Sequence, residues 1–183
     1  RSAFLHGQDV HATFAMARAN AELGNIDAAV QQLERVIFFG EGKYDVEAFA
    51  LLGEMHLQNG AYSEAAFAFN QAAQFTENIT AINRLKLLQS AALIRGGKPE
   101  LASIELLGMQ VEKNDSAFLK QQFLLGITQF TAGNFSESHV SFRNAASDTS
   151  VKIRIDSLFE ELSRIKRSEE HTSELQSQFR ISY

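Results

Sequence analysis

The chain has 183 residues, with 17 basic and 22 acidic side chains, a formal net charge of −5, one proline and no cysteine. Lacking cysteine, it can hold neither a disulfide nor a thiolate metal site. Its interspersed, mildly acidic charge lacks the basic footprint of a nucleic-acid binder, and no apolar run approaches the roughly 18 residues of a membrane span.

Arg1 opens the chain without a methionine, and residues 1–8 read as the end of a preceding element, so the chain is taken as a fragment. From Asp9 a period sets in. Aligned on Gly24, Gly60, Gly97 and Gly133, the sequence repeats after 36, 37 and 36 residues, a period that marks helical repeat architectures. Each glycine suits the left-handed residue that ends a helix. Seven residues before it stands a small residue (Ala17, Gly53, Ser90, Gly126), five after it another (Ala29, Ala65, Ala102, Ser138), and nine after it a large one (Leu33, Phe69, Leu106, Phe142). Small residues let antiparallel helices approach, and the large one fills the space beside them.

The first repeat, 9–44, is predicted to hold helices over 9–22 and 27–39, with Asp9 and Asp27 as N-caps. Its linker, Gly40-Glu41-Gly42-Lys43, lacks a phosphate loop's upstream glycine and following Ser/Thr, because Ile37 and Tyr44 stand there; it reads as an inter-repeat loop. The second repeat, 45–79, takes helices over 45–58 and 63–75, capped by Asp45 and Ser63. In the third, 80–115, helices span 80–95 from Thr80 and 99–112 from Pro99, which the first helical position tolerates. The fourth, 116–149, has helices over 116–131 and 136–146 with caps at Ser116 and Ser136. The glycosylation-like triplets at Asn78, Asn114 and Asn134 fall where caps are expected, which accounts for their residue types.

A ninth helix is expected within 150–166, where Val151, Ile155, Leu158, Phe159, Leu162 and Ile165 share one face. Such an amphipathic helix suits the capping element of a solenoid. From Arg167 to Ser177 the chain reads Arg-Ser-Glu-Glu-His-Thr-Ser-Glu-Leu-Gln-Ser, and it closes on Ile181-Ser182-Tyr183. Both pieces resemble the in-frame translation of a common short-read sequencing adapter. Residues 167–183 are therefore read as an adapter-derived artefact and set aside from the fold.

The turns Asn59-Gly60-Ala61-Tyr62-Ser63-Glu64-Ala65 and Ala132-Gly133-Asn134-Phe135-Ser136-Glu137-Ser138 resemble those of tetratricopeptide (TPR) repeats, as do Leu52-Gly53, Leu125-Gly126, Ala72 and Ala145. The resemblance covers residues 9 to about 149, in four repeats. The repeats run longer than the family's usual 34 residues and lack its closing proline. The resemblance implies an all-α fold, a right-handed α-solenoid of antiparallel helix pairs whose first helices line a concave groove. Carried onto this chain, the family's groove positions are His11, Phe14, Arg18 and Glu22; Glu47, Ala50, Glu54 and Gln58; Arg84, Leu87, Ala91 and Arg95; and Lys120, Phe123, Ile127 and Thr131. Phe14, Ala50, Leu87 and Phe123 occupy the lysine position of the family's carboxylate clamp, which argues against a chaperone-tail receptor. In repeats three and four, Arg84, Arg95 and Lys120 would flank an apolar strip of Leu87, Phe123 and Ile127, suited to an amphipathic or acidic peptide.

The histidines His6, His11, His56 and His139 are scattered without metal-ligand spacing, and no nucleophile elbow is present. No cofactor or metal is expected. The sequence points to a non-enzymatic scaffold that binds a protein or peptide, with no nucleic-acid partner. Two alternatives stand beside it: a repeat segment of a larger assembly protein, in keeping with a weak resemblance to bacterial envelope-associated repeat proteins, and the regulatory arm of a truncated enzyme. Neither the partner nor the compartment, cytoplasm or bacterial envelope, is written in the residues.

Overall fold

The turn glycines and the apolar stripes between them divide the chain into helices of about four turns. In the computed structural model, which describes residues 2–113 and 115–146, there are eight: α1 Ser2–Glu22, α2 Ile26–Phe39, α3 Asp45–Gln58, α4 Tyr62–Gln74, α5 Ile79–Arg95, α6 Pro99–Leu107, α7 Ser116–Thr131 and α8 Phe135–Ala145. No strand occurs among the described residues. The expected ninth helix and the segment 167–183 lie outside them.

Two helix bounds depart from the sequence reading. The first helix begins at Ser2 rather than Asp9, so Asp9 is no cap; its carbonyl accepts a 2.7 Å hydrogen bond from Thr13 Oγ1 inside the helix. Residues 2–8 contain no proline and a single glycine, so nothing stops the helix from running back through them. The sixth helix ends at Leu107 rather than 112 because the chain turns at Gly108 to bury Met109 beside Leu106 and Leu125. Side chains also donate to carbonyls at and just beyond that end. Gln121 Nε2 donates to the Leu106 carbonyl at 2.6 Å, and Asn83 Nδ2 donates to that of Gln110 at 2.8 Å.

All four turn glycines take positive φ, between 71° and 79°. Around Gly60 the His56 carbonyl accepts from the Ala61 amide at 2.9 Å and the Leu57 carbonyl from the Gly60 amide at 3.2 Å. The same pair of bonds recurs at Gly24, Gly97 and Gly133. This crossed pattern is the Schellman motif, and it satisfies carbonyls that a helix end leaves open.

The residue after each glycine explains a second departure. Asn25, Ala61 and Asn134 sit near φ −80° and ψ +70°, the centre of an inverse γ-turn, with the next amide bonded back to the glycine carbonyl at 3.0 Å. Asp27, Ser63 and Ser136 therefore lie within the first turn, and no side chain caps α2, α4 or α8. Side-chain caps form instead at Asn78, which accepts from the Ala81 amide at 3.1 Å, and at Asp115, which accepts from that of Ala117 at 2.9 Å. These replace the expected Thr80 and Ser116; at α3 the flanking residue is Tyr44, without a cap bond. Substituting Asn78 by alanine should lower stability by about 1 kcal/mol, whereas Ser136→Ala should stay within about 0.5 kcal/mol of wild type. Chemical-denaturation midpoints of the two variants check this contrast.

Each helix packs on the next in the chain, and α1 also touches α3 and α5 touches α7. Within the pairs, the small and large repeat positions meet. A Cβ built on Gly53 would lie 2.7–2.9 Å from the Phe69 ring, and one on Gly126 2.7–2.9 Å from that of Phe142. Where the small residue is Ala17 or Ser90, the large one is Leu33 or Leu106, and all four are fully buried. The second small position is as tight: Ala29, Ala65 and Ala102 are fully buried, and Ser138 donates to the Gly126 carbonyl at 2.9 Å.

The core changes character along the chain. Around α1–α4 it is built from Val10, Leu33, Val36, Leu52, Met55 and Phe69, whereas Asn83, Gln89, Ser90, Gln121, Thr128, Ser138 and Ser141 are all buried in repeats three and four. Most have partners, such as Ser103 to Thr128 at 2.9 Å and Ser141 to Gln129 at 2.7 Å. Ser90 Oγ has none. An unpaired buried hydroxyl destabilises, and Ala17 already fills this position in repeat one. Ser90→Ala should therefore raise stability by about 1 kcal/mol; a lower melting temperature would mean that the hydroxyl has a partner.

No helix of the described residues is long and apolar enough to cross a membrane.

Candidate functional site

Among the odd-numbered helices, α1 lies against α3 and α5 against α7, and α1 and α3 form one face. Arg84 of α5 reaches Glu54 of α3 at 4.0 Å, extending that face across repeats one to three. Two adjoining hollows are cut into it. The first, about 600 Å³, lies between α1 and α3 and is lined by Phe14, Arg18 and Glu22 of α1, Glu47, Ala50, Glu54 and Gln58 of α3, and Arg84. Ala21, Leu51 and the buried Met55 complete its apolar wall. The second, about 420 Å³, lies between α3 and α5, where Val46, Ala81, Leu85 and Leu88 supply the apolar surface. Glu47, Ala50, Glu54 and Arg84 border both hollows.

Of the sequence-predicted residues, the groove thus gathers Phe14, Arg18 and Glu22, Glu47, Ala50, Glu54 and Gln58, and Arg84. His11 stands at its edge, where its Nδ1 and the Tyr44 hydroxyl are 2.7 Å apart. Phe14 stacks on the same Tyr44 ring with centroids 4.9 Å apart. Tyr44 is not among the groove positions expected from the sequence; an aromatic one residue before a helix is the signal that marks it. It braces Phe14, and so shapes one end of the groove.

The remaining candidates are placed differently. Leu87 is half-buried against Leu106, Met109 and Leu125, while Phe123 and Ile127 are half-buried against Phe142 and Ala145. Phe123 meets the Phe142 ring edge-on at 6.0 Å. The apolar strip expected on repeats three and four is therefore largely engaged by the core beneath it. Arg95 and Lys120 are exposed, on α5 and α7 respectively, and border neither hollow.

The groove's charges are mixed. The Glu54–Arg84 pair is partly exposed and contributes little to stability, about 0–1 kcal/mol. Arg18, Glu22 and Glu47 stand in the groove without an ion pair among the described residues. The arrangement is apolar walls with fixed, solvent-facing charges, which can hold a polypeptide segment by burial and orient it by charge.

In comparison with known proteins, no family model matches the chain and no curated protein matches its sequence.

Proposed function

We propose that this chain is a non-enzymatic scaffold of the tetratricopeptide kind, a right-handed superhelix that binds a peptide or helix of a partner protein along its odd-numbered helices. One observation carries the reading. Residues at equivalent positions of successive repeats, taken from the family's groove offsets, line two adjoining hollows over α1, α3 and α5. A depression with apolar walls and few fixed charges suits a segment whose apolar side chains supply affinity.

A test is selection from a library of short random peptides displayed on phage. Wild-type protein should enrich binders that Ala50→Trp, which sets a bulky ring where the two hollows adjoin, no longer captures; Arg18→Glu, on the exposed rim, should weaken capture without disturbing the fold. Equal capture by wild type and both variants would remove the groove from consideration.

A second reading, a repeat segment of a larger assembly, is favoured by the outer surface. Phe67, Ile104 and Val140 occupy the same position of repeats two, three and four, and each is more than half exposed. Leu101 and Leu107 widen this row on α6. Exposed apolar rows of this kind mark contact surfaces. Ile104→Glu should leave peptide capture unchanged while abolishing any association that uses this row.

A further inference from the structure

Four positions on the first helix of each repeat, 12, 9, 8 and 5 residues before the turn glycine, face the repeat before. In α3 they are Ala48, Leu51, Leu52 and Met55, buried or half-buried and packed with Leu33 and Val36 of α2. In α5 they are Leu85, Leu88, Gln89 and Ala92, all likewise covered, with Leu85 and Ala92 in one cluster with Phe69 and Ala72 of α4. In α7, Leu124 and Leu125 pack with Leu106 and Met109, Gln121 donates to the Leu106 carbonyl, and Thr128 is buried. The same positions of α1 are Ala12, Ala15, Met16 and Ala19. All four are exposed, Met16 by 56%.

The end face of a helical solenoid stays soluble through polar side chains, and α1 has none at these positions. Helix propensity accounts for alanines on an exposed flank, but it gives no reason for Met16 at the place of Leu52 and Leu125. We infer that this flank of α1 is a stacking surface, and that its occupant is the second helix of a further repeat, N-terminal to α1 in the same polypeptide. Each interior case supports that occupant. The flank of α3, α5 or α7 is covered from the repeat before, by an apolar pair three positions apart: Leu33 and Val36, Phe69 and Ala72, Leu106 and Met109. The inference rests on this packing and is independent of what the groove binds. Because α1 begins at Ser2, seven residues before Asp9, the equivalent of Asp45 where α3 begins, the covering helix joins ahead of Ser2 and not through a copy of the linker 40–44. Those seven residues add about 10 Å of helix.

The chain has no cysteine, so Met16→Cys places a single thiol on this flank. Its alkylation by iodoacetamide is timed in three forms of the whole chain. The first has no extension. The second carries a copy of Ile26–Phe39 joined ahead of Arg1 by a Gly/Ser linker of about ten residues, whose typical span of about 15–20 Å covers the extra turns. The third carries the same extension with Leu33→Ser and Val36→Ser in the copy alone. The apolar copy should slow alkylation about tenfold or more, since a covered thiol reacts only when the helix opens. The serine copy should leave the rate of the unextended chain. Equal rates in all three forms overturn the inference. Sedimentation velocity of the unextended chain separates the other occupant: a monomer is expected, whereas association that Met16→Glu abolishes overturns the inference in favour of a second copy. Either result leaves the groove reading to its own test with Ala50→Trp.

Discussion

Truncating Phe69 to alanine should destabilise the protein by about 3–5 kcal/mol, the range for removing a fully buried aromatic side chain. The ring has no solvent exposure, lies against the Gly53 backbone, and packs with Ala65, Ala66, Ala72 and Leu85 of α4 and α5. Its neighbours are mostly alanines, which have no longer side chain to swing into the space. The site therefore relaxes little, and the residual cavity sets the cost near the top of the range. A loss of about 1 kcal/mol or less on urea denaturation would mean that α3 and α4 do not cross at this residue.

The second large effect concerns the other half of the same contact. Gly53→Ala should lower stability by about 1–3 kcal/mol through overpacking, even though alanine is the better helix former by roughly 1 kcal/mol. The new methyl would lie within 2.9 Å of three atoms of the Phe69 ring, which is enclosed and cannot swing away. Phe69→Leu in the Gly53→Ala background should recover most of the loss, because repeat one already pairs Ala17 with Leu33. A double-mutant cycle should give a favourable coupling of about 0.5–3 kcal/mol. Strict additivity would show that the small and large positions are independent.

These pairings show why the repeat was legible in the sequence. A helix crossing needs a small residue opposite a large one, and a reversal of direction needs a residue that accepts positive φ, so both leave fixed positions in every repeat. Helix bounds followed from those positions to within a residue at most ends. The caps of the second helices were misplaced because the Schellman turn and the inverse γ-turn behind it use backbone groups alone; Asp27, Ser63 and Ser136 satisfy a sequence rule that the local geometry makes unnecessary. The early end of α6 depended on burying Met109 against α7, a contact between segments that local pattern does not register.

The groove was legible in part for a related reason. Phe14, Arg18, Glu54 and Arg84 came from offsets along the first helices, and those helices do face one depression. Leu87, Phe123 and Ile127 came from the same offsets, yet an apolar residue at the edge of a stripe can serve either the groove or the core. Larger neighbours decide it, as Phe142 does for Phe123. Tyr44 and the apolar walls at Leu51, Met55 and Leu85 were outside the offsets and became visible only once the helices were side by side.

Amide hydrogen exchange, recorded with and without a peptide selected on the wild-type chain, tests the central claim most directly. Slowed exchange is expected to concentrate in α1, α3 and α5, around Phe14, Ala50 and Arg84, with the Ala50→Trp variant showing none. Protection confined to α4, α6 and α8, along the row of Phe67, Ile104 and Val140, would contradict it and place binding on the outer surface instead.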